Sequence, residues 1–151
     1  MNKHHSGQFD PPTPIALHGG SDLGDSPTVR LAGCRVLVVE DEALVSMLLE
    51  DMLDDLGCRV LGPMTRVRES LAFVTDPATD IDVAILDVNV AGELSFPIAA
   101  ALDAQGVPFV LATGYDDAGI DERWRDRPIL RKPFLASELE AMLKRALAGC
   151  R

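Results

Sequence analysis

Ile81-Asp82-Val83-Ala84-Ile85-Leu86-Asp87 is the stretch on which the fold turns. Residues 83 to 86 are all apolar, which suits a parallel strand buried on both faces. The carboxylate that follows falls at the strand's carboxyl end, where open α/β sheets place their chemistry. Three other apolar runs also end in polar groups. Val36-Leu37-Val38-Val39 leads into Glu40-Asp41, Phe109-Val110-Leu111-Ala112 into Thr113, and Ile129-Leu130 into Arg131-Lys132-Pro133. Three carboxylates, a hydroxyl and a lysine on one sheet edge point to magnesium and phosphoryl chemistry.

Working outward, the pattern alternates strand and helix from Cys34 onward. The first strand covers residues 35–39. Ala43 to Leu56 reads as a helix with Val45, Leu48, Leu49, Met52 and Leu56 on its inner face and Gly57 as its stop. Arg59-Val60-Leu61 is a short second strand. Thr65 is placed to cap a helix running to about Thr75, with Val67, Leu71 and Val74 inward. After the strand ending at Asp87, Ser95 to Gln105 is an alanine-rich helix that tolerates Pro97 in its first turn and stops at Gly106. Strands over 108–112 and 128–131 follow, then a last helix starting near Ser137 with Leu139, Met142, Leu143, Ala146 and Leu147 as its stripe. This order predicts an α/β fold, a doubly wound five-stranded parallel sheet. Tyr115 to Arg127 is charged and lacks helical periodicity, so the fourth helix is expected to be short or irregular.

Composition bounds the rest. The chain has 151 residues, 47% of them apolar, which is enough for one domain with a real core. Residues 1–32 are rich in proline, glycine and small polar types and read as a disordered tail, leaving residues 33–151 as the domain. No apolar run approaches ~20 residues and the N-terminus lacks a secretory core, so no membrane span or signal is expected. Cys34, Cys58 and Cys150 are odd in number and far apart, which fits reduced thiols in a cytoplasmic protein better than disulfides or a zinc site. A net charge of −10 argues against a nucleic-acid partner.

The sheet edge carries the chemistry. Clustered carboxylates repel unless a cation is near. Asp41 and Asp87, with a carbonyl and waters, supply the oxygen-rich, hydrated shell that Mg²⁺ prefers, and Glu40 can hold a ligating water. Lys132 can neutralise a phosphoryl oxygen or, at rest, pair with Asp87. Thr113 can donate to a phosphoryl oxygen, with Gly114 leaving room for approach. Phosphoryl transfer asks mainly for positioning and charge neutralisation, and the Asp87 carboxylate is the nucleophile that would form an acyl phosphate.

With those residues in place, 34 to 150 resembles the receiver domain of two-component response regulators. The matching stretches are Val38-Val39-Glu40-Asp41, Leu86-Asp87-Val88-Asn89, Thr113 and Lys132-Pro133-Phe134. The resemblance implies a flavodoxin-like receiver fold, with Asp87 as phosphoacceptor, Thr113 as switch hydroxyl and the Asn89 backbone carbonyl as a metal ligand. It implies a histidine kinase or phosphotransfer protein as phosphoryl donor. Pro108-Phe109-Val110-Leu111-Ala112-Thr113-Gly114-Tyr115 is similar to the signature of a subgroup of stand-alone receivers that partner kinases of the HWE/HisKA2 type. The chain departs from the family at Val90-Ala91-Gly92-Glu93, where Met-Pro is usual, and at Ile129, where an aromatic is common; Tyr115 is then the candidate switch aromatic. With no room for an output domain, the expected function is phosphorylation-dependent docking or a phosphate sink or shuttle, not enzymatic turnover. The alternatives are an Asp-nucleophile phosphatase of haloacid-dehalogenase type, which usually wants a second Asp where Asn89 stands, and a phosphate-independent adaptor. A flavodoxin-like electron carrier is disfavoured, since Glu40-Asp41-Glu42 would repel a flavin phosphate.

Overall fold

A computed structural model of the chain describes residues 29–114 and 119–149. In chain order the elements are β1 (Arg35–Val39), α1 (Ala43–Asp55), β2 (Arg59–Met64), α2 (Val67–Thr75), β3 (Val83–Asp87), β4 (Asn89–Val90), β5 (Glu93–Leu94), α3 (Phe96–Ala104), β6 (Phe109–Thr113), β7 (Ile129–Arg131) and α4 (Ala136–Ala148). Five strands form one parallel sheet in the order β2-β1-β3-β6-β7. The chain is thus the doubly wound five-stranded sheet that its alternation implied, in the flavodoxin-like form that the resemblance implied. Where a longer fourth helix would sit, the described residues hold one 3₁₀ turn, Glu122–Trp124.

Strand alternation explains the two cores. Val36, Val38, Val83, Ile85 and Val110 face α1 and α4, meeting Leu49, Leu53, Leu139 and Leu143. Leu37, Val39, Ala84, Leu86, Phe109 and Leu111 face α2 and α3, meeting Val67, Val74, Ile98 and Leu102. A strand covered on both faces needs a continuous apolar run, which is what 83–86 supplied.

Several local expectations are corrected. On α1 the buried residues are Ser46, Leu49 and Leu53, whereas Leu48 is 46% exposed. Leu48 lies about 100° around the helix from Leu49, outside the stripe centred on it. Thr65 does not cap α2; Arg66 holds the N-cap position without a side-chain cap bond. Residues 29–32 were assigned to the tail, yet Leu31 is buried in the α1/α4 core and its carbonyl accepts from the Cys58 thiol. The remaining tail, residues 1–28, lies outside the described residues.

Two irregularities position the site. β2 continues past Leu61 through a register shift opposite Val39, and the Met64 carbonyl there accepts the Glu40 N–H at 2.9 Å. Gly62 makes this possible: its φ is +100°, and a Cβ would lie 2.7 Å from the Met64 nitrogen and 3.0 Å from the Val38 oxygen. After β3 the chain forms a hairpin, β4–β5, which the sequence reading did not foresee. Its turn residues Ala91 and Gly92 both have positive φ, the backbone of a type I′ turn.

Candidate functional site

The acids converge because of register. Val39 pairs with Leu86, so one residue further Glu40 stands opposite Asp87. Glu40 continues the face of Val36 and Val38, Asp87 that of Val83 and Ile85, and Lys132 that of Leu130, so their side chains lean the same way. The Lys132 N–H is held by the Thr113 carbonyl at 2.8 Å, which fixes the lysine beside the end of β6.

Lys132 Nζ donates to both Glu40 oxygens, at 3.0 and 3.1 Å, and to Asp87 Oδ2 at 3.1 Å. Glu40 is 2% exposed and Asp87 5%, while Asp41 is exposed. Carboxylate oxygens of Glu40, Asp41 and Asp87 all lie within 4.8 Å of one another. One ammonium therefore faces three carboxyl groups. Burial above all, and then the adjoining Asp87 carboxylate, push the Glu40 carboxyl up to about 8 despite Lys132. Burial works to lower the Lys132 ammonium, but its bonds and charge pairing with Glu40 and Asp87 outweigh that and hold it above its ordinary value. Three carboxyl groups clustered beside one ammonium leave a deficit of positive charge. A divalent cation on the solvent side, where Asp41 is open, fits that deficit and an all-oxygen donor set.

The sequence reading paired Lys132 with Asp87 alone and gave Glu40 a water. The structure adds a direct Glu40–Lys132 contact, with Glu40 among the buried members of the cluster. Asn89 is exposed in β4, and its side-chain Oδ1 accepts the Gly92 N–H at 3.0 Å, tying it to the hairpin turn. Thr113 is buried at the end of β6. Tyr115, the candidate switch aromatic, lies outside the described residues. In the second half of the same connection Trp124 is 2% exposed, stacked edge-on against Phe109 with ring centroids 5.4 Å apart. That segment was read as charged and aperiodic; Trp124 gives its second half an apolar anchor.

Other features of the described residues carry less chemistry. A cavity of about 510 Å³, lined by residues including Pro108, Arg127 and Arg145, lies at the opposite end of the sheet from the acids. Cys34 and Cys58 are unpaired, with their thiols on the Arg30 and Leu31 carbonyls; burial pushes both up, Cys58 to about 11, which keeps them unreactive. Among the described residues, no helix is long and apolar enough to cross a membrane.

A parallel sheet ending in a carboxylate pocket bridged by one lysine is the arrangement of a signalling receiver. Comparison with known proteins agrees. The chain is 44% identical to SdrG from Sphingomonas melonis Fr1, covering 79% of this chain and 98% of that one at a TM-score of 0.68. SdrG has also been solved in a BeF3-activated conformation, which matches at a TM-score of 0.64. The transcriptional regulatory protein PdtaR of Mycobacterium tuberculosis is 31% identical over 123 residues, 78% of this chain and 58% of PdtaR. The receiver domain of a sensor histidine kinase from Pseudomonas aeruginosa PAO1, solved with a magnesium ion in its active site cleft, shares the fold at a TM-score of 0.67 and 23% identity, covering 78% of this chain and all of that one. No protein-family model matches the chain.

The chain belongs to the response regulator receiver family, the phosphoprotein arm of two-component signal transduction. Within it the resemblance to SdrG spans nearly all of that protein, whereas the chain spans about half the length of the curated regulators it matches.

Proposed function

We propose that Asp87 accepts a phosphoryl group from the phosphohistidine of a kinase or phosphotransfer protein. The Lys132 ammonium held between the buried Glu40 and Asp87 carboxyls carries this reading. An Asp87 carboxylate oxygen attacks phosphorus, the phosphorus–nitrogen bond to the donor imidazole breaks, and an acyl phosphate results. Lys132, already within 3.1 Å of Asp87, follows the charge onto a phosphoryl oxygen. Thr113, buried at the end of the neighbouring strand, donates its hydroxyl to another. Mg²⁺ would be held by Asp41, Asp87 and the Asn89 carbonyl, with Glu40 acting through a water. The chemistry it supplies when bound is neutralisation of the transferring oxygens.

The surroundings suit a docked donor. Among the described residues, three of the exposed large apolar side chains are Leu44, Leu94 and Leu135, which follow Asp41, Asp87 and Lys132 at the same end of the sheet. The HWE/HisKA2 type of kinase is our candidate donor. The phosphorylated domain then docks a target protein or serves as a phosphate sink or shuttle in the cytoplasm, as a stoichiometric acceptor and not a turnover enzyme. A haloacid-dehalogenase reading is disfavoured because Asn89, at the position of the second acid, is committed to its turn.

Incubation with acetyl phosphate, followed by intact mass, tests the proposal. One added phosphoryl group is expected with Mg²⁺ present, and none with EDTA or in Asp87→Asn. Stoichiometric labelling of Asp87→Asn would reject it.

A further inference from the structure

Asp103, in the last turn of α3, holds two arginines of the β6–β7 connection at once. Its Oδ1 accepts from Arg127 Nη2, and its Oδ2 lies 3.8 Å from Arg123 Nη2. Both guanidinium groups lie on aromatic rings. Arg123 Cζ is 4.3 Å from the centroid of Trp124, and Arg127 Cζ is 4.9 Å from Phe109 and 5.5 Å from Trp124. The turn between them is internally bonded. Asp121 accepts the Arg123 and Trp124 N–H groups, and the Trp124 carbonyl accepts the Arg127 N–H at 3.1 Å. Residues 121–127 are thus one unit, fastened to α3 by a single carboxylate.

Its location decides what this unit can do. Phe109 opens β6 and Thr113 closes it, on the same face of the strand. Four residues of strand span about 13 Å, so Trp124, stacked on Phe109, is out of contact range of the Thr113 hydroxyl. The tryptophan of the connection cannot follow Thr113 directly. It anchors the connection at the far end of the strand. Resting on the phosphoacceptor reading above, we propose that Asp103 is a positioning residue. By clamping Arg123 and Arg127 it holds residues 121–127 to α3, so that a response to charge at Asp87 does not reach Trp124. The clamp is sensitive to charge because loss of the carboxylate removes the counter-ion that the two guanidinium groups share, leaving Arg127 with the exposed Asp126 at 3.9 Å.

The test uses the full chain, with beryllofluoride and Mg²⁺ as the phosphoryl mimic and amide NMR as the readout. Trp124 is the only tryptophan, so its indole N–H is a single assigned probe. In wild type the Gly114 amide should shift with the mimic while the Trp124 indole stays in place. In Asp103→Asn both should shift, and Asp103→Glu should restore the wild-type pattern. Without the mimic, Trp124 and Arg127 amides should exchange roughly tenfold faster in Asp103→Asn, the equivalent of one lost charge-assisted bond. A Trp124 indole that shifts equally in wild type and Asp103→Asn overturns the clamp, as does unaltered exchange. A Gly114 amide that ignores the mimic in every variant instead overturns the phosphoacceptor reading, and this inference with it.

Discussion

Glu40→Gln should make the metal-free domain more stable at alkaline pH, although it deletes a salt bridge. Glu40 is 2% exposed, 3.0 Å from Lys132 and beside Asp87, and burial with that neighbour raises its carboxyl from 4.5 to about 8. The sign follows from linkage. An acid raised in the folded state contributes stability that is fully present below its unfolded value, and that is lost as pH rises through the folded value. At ~1.4 kcal/mol per pH unit, ionising Glu40 at pH 8 costs the fold up to ~4 kcal/mol. Glutamine keeps a carbonyl acceptor for Lys132 and stands in for the protonated acid, but its buried amide donors need new partners, which offsets ~1–2 kcal/mol. The variant should therefore gain ~2–3 kcal/mol at pH 8, or roughly 5–10 °C in Tm, and little or nothing at pH 5. Urea or thermal unfolding in EDTA at the two pH values measures it. A variant no more stable than wild type at pH 8, or an equal gain at both pH values, refutes the reasoning.

Other outcomes follow from particular contacts. Leu31→Ala should cost ~2–4 kcal/mol in urea unfolding because Leu31 is buried in the core, whereas Leu48→Ala, on the exposed side of α1, should stay within ~0.5 kcal/mol of wild type. Ala91 holds a φ of 50°, so Ala91→Gly should raise stability by ~0.5–1 kcal/mol, with the opposite sign counting against a left-handed turn. Arg35 hydrogen-bonds Asp82 and lowers its carboxyl. That contribution is present above the ordinary carboxylate range and lost as pH falls through the lowered value, so Asp82→Asn should flatten the acid limb of a stability–pH curve.

The sheet was legible because it is buried on both faces: 36–39, 83–86 and 109–112 are unbroken apolar runs, which few other structures require. The convergence of acids and lysine was legible for the same reason, since each run ends in a polar residue and the register brings Glu40, Asp87 and Lys132 together. What escaped notice depends on tertiary contact or on single-residue geometry. Leu31 sits in a stretch whose composition reads as tail, and only the folded core, where it packs in one cluster with Leu53 and Cys58, shows why it is buried. The Glu40–Lys132 contact needs register across four strands, from β1 through β3 and β6 to β7. The β4–β5 hairpin rests on Ala91 in a left-handed conformation that alanine does not advertise. Trp124 looked like one apolar residue in a charged loop; its anchoring depends on Phe109 and on an aspartate from another helix.

Borohydride trapping tests the central claim most directly. Acyl phosphates of aspartate are reduced to homoserine, so the protein is treated with acetyl phosphate and Mg²⁺, reduced, digested and sequenced by mass spectrometry. The account predicts homoserine at position 87 and at no other aspartate. Homoserine at Asp41 or elsewhere, with Asp87 unmodified, would contradict it.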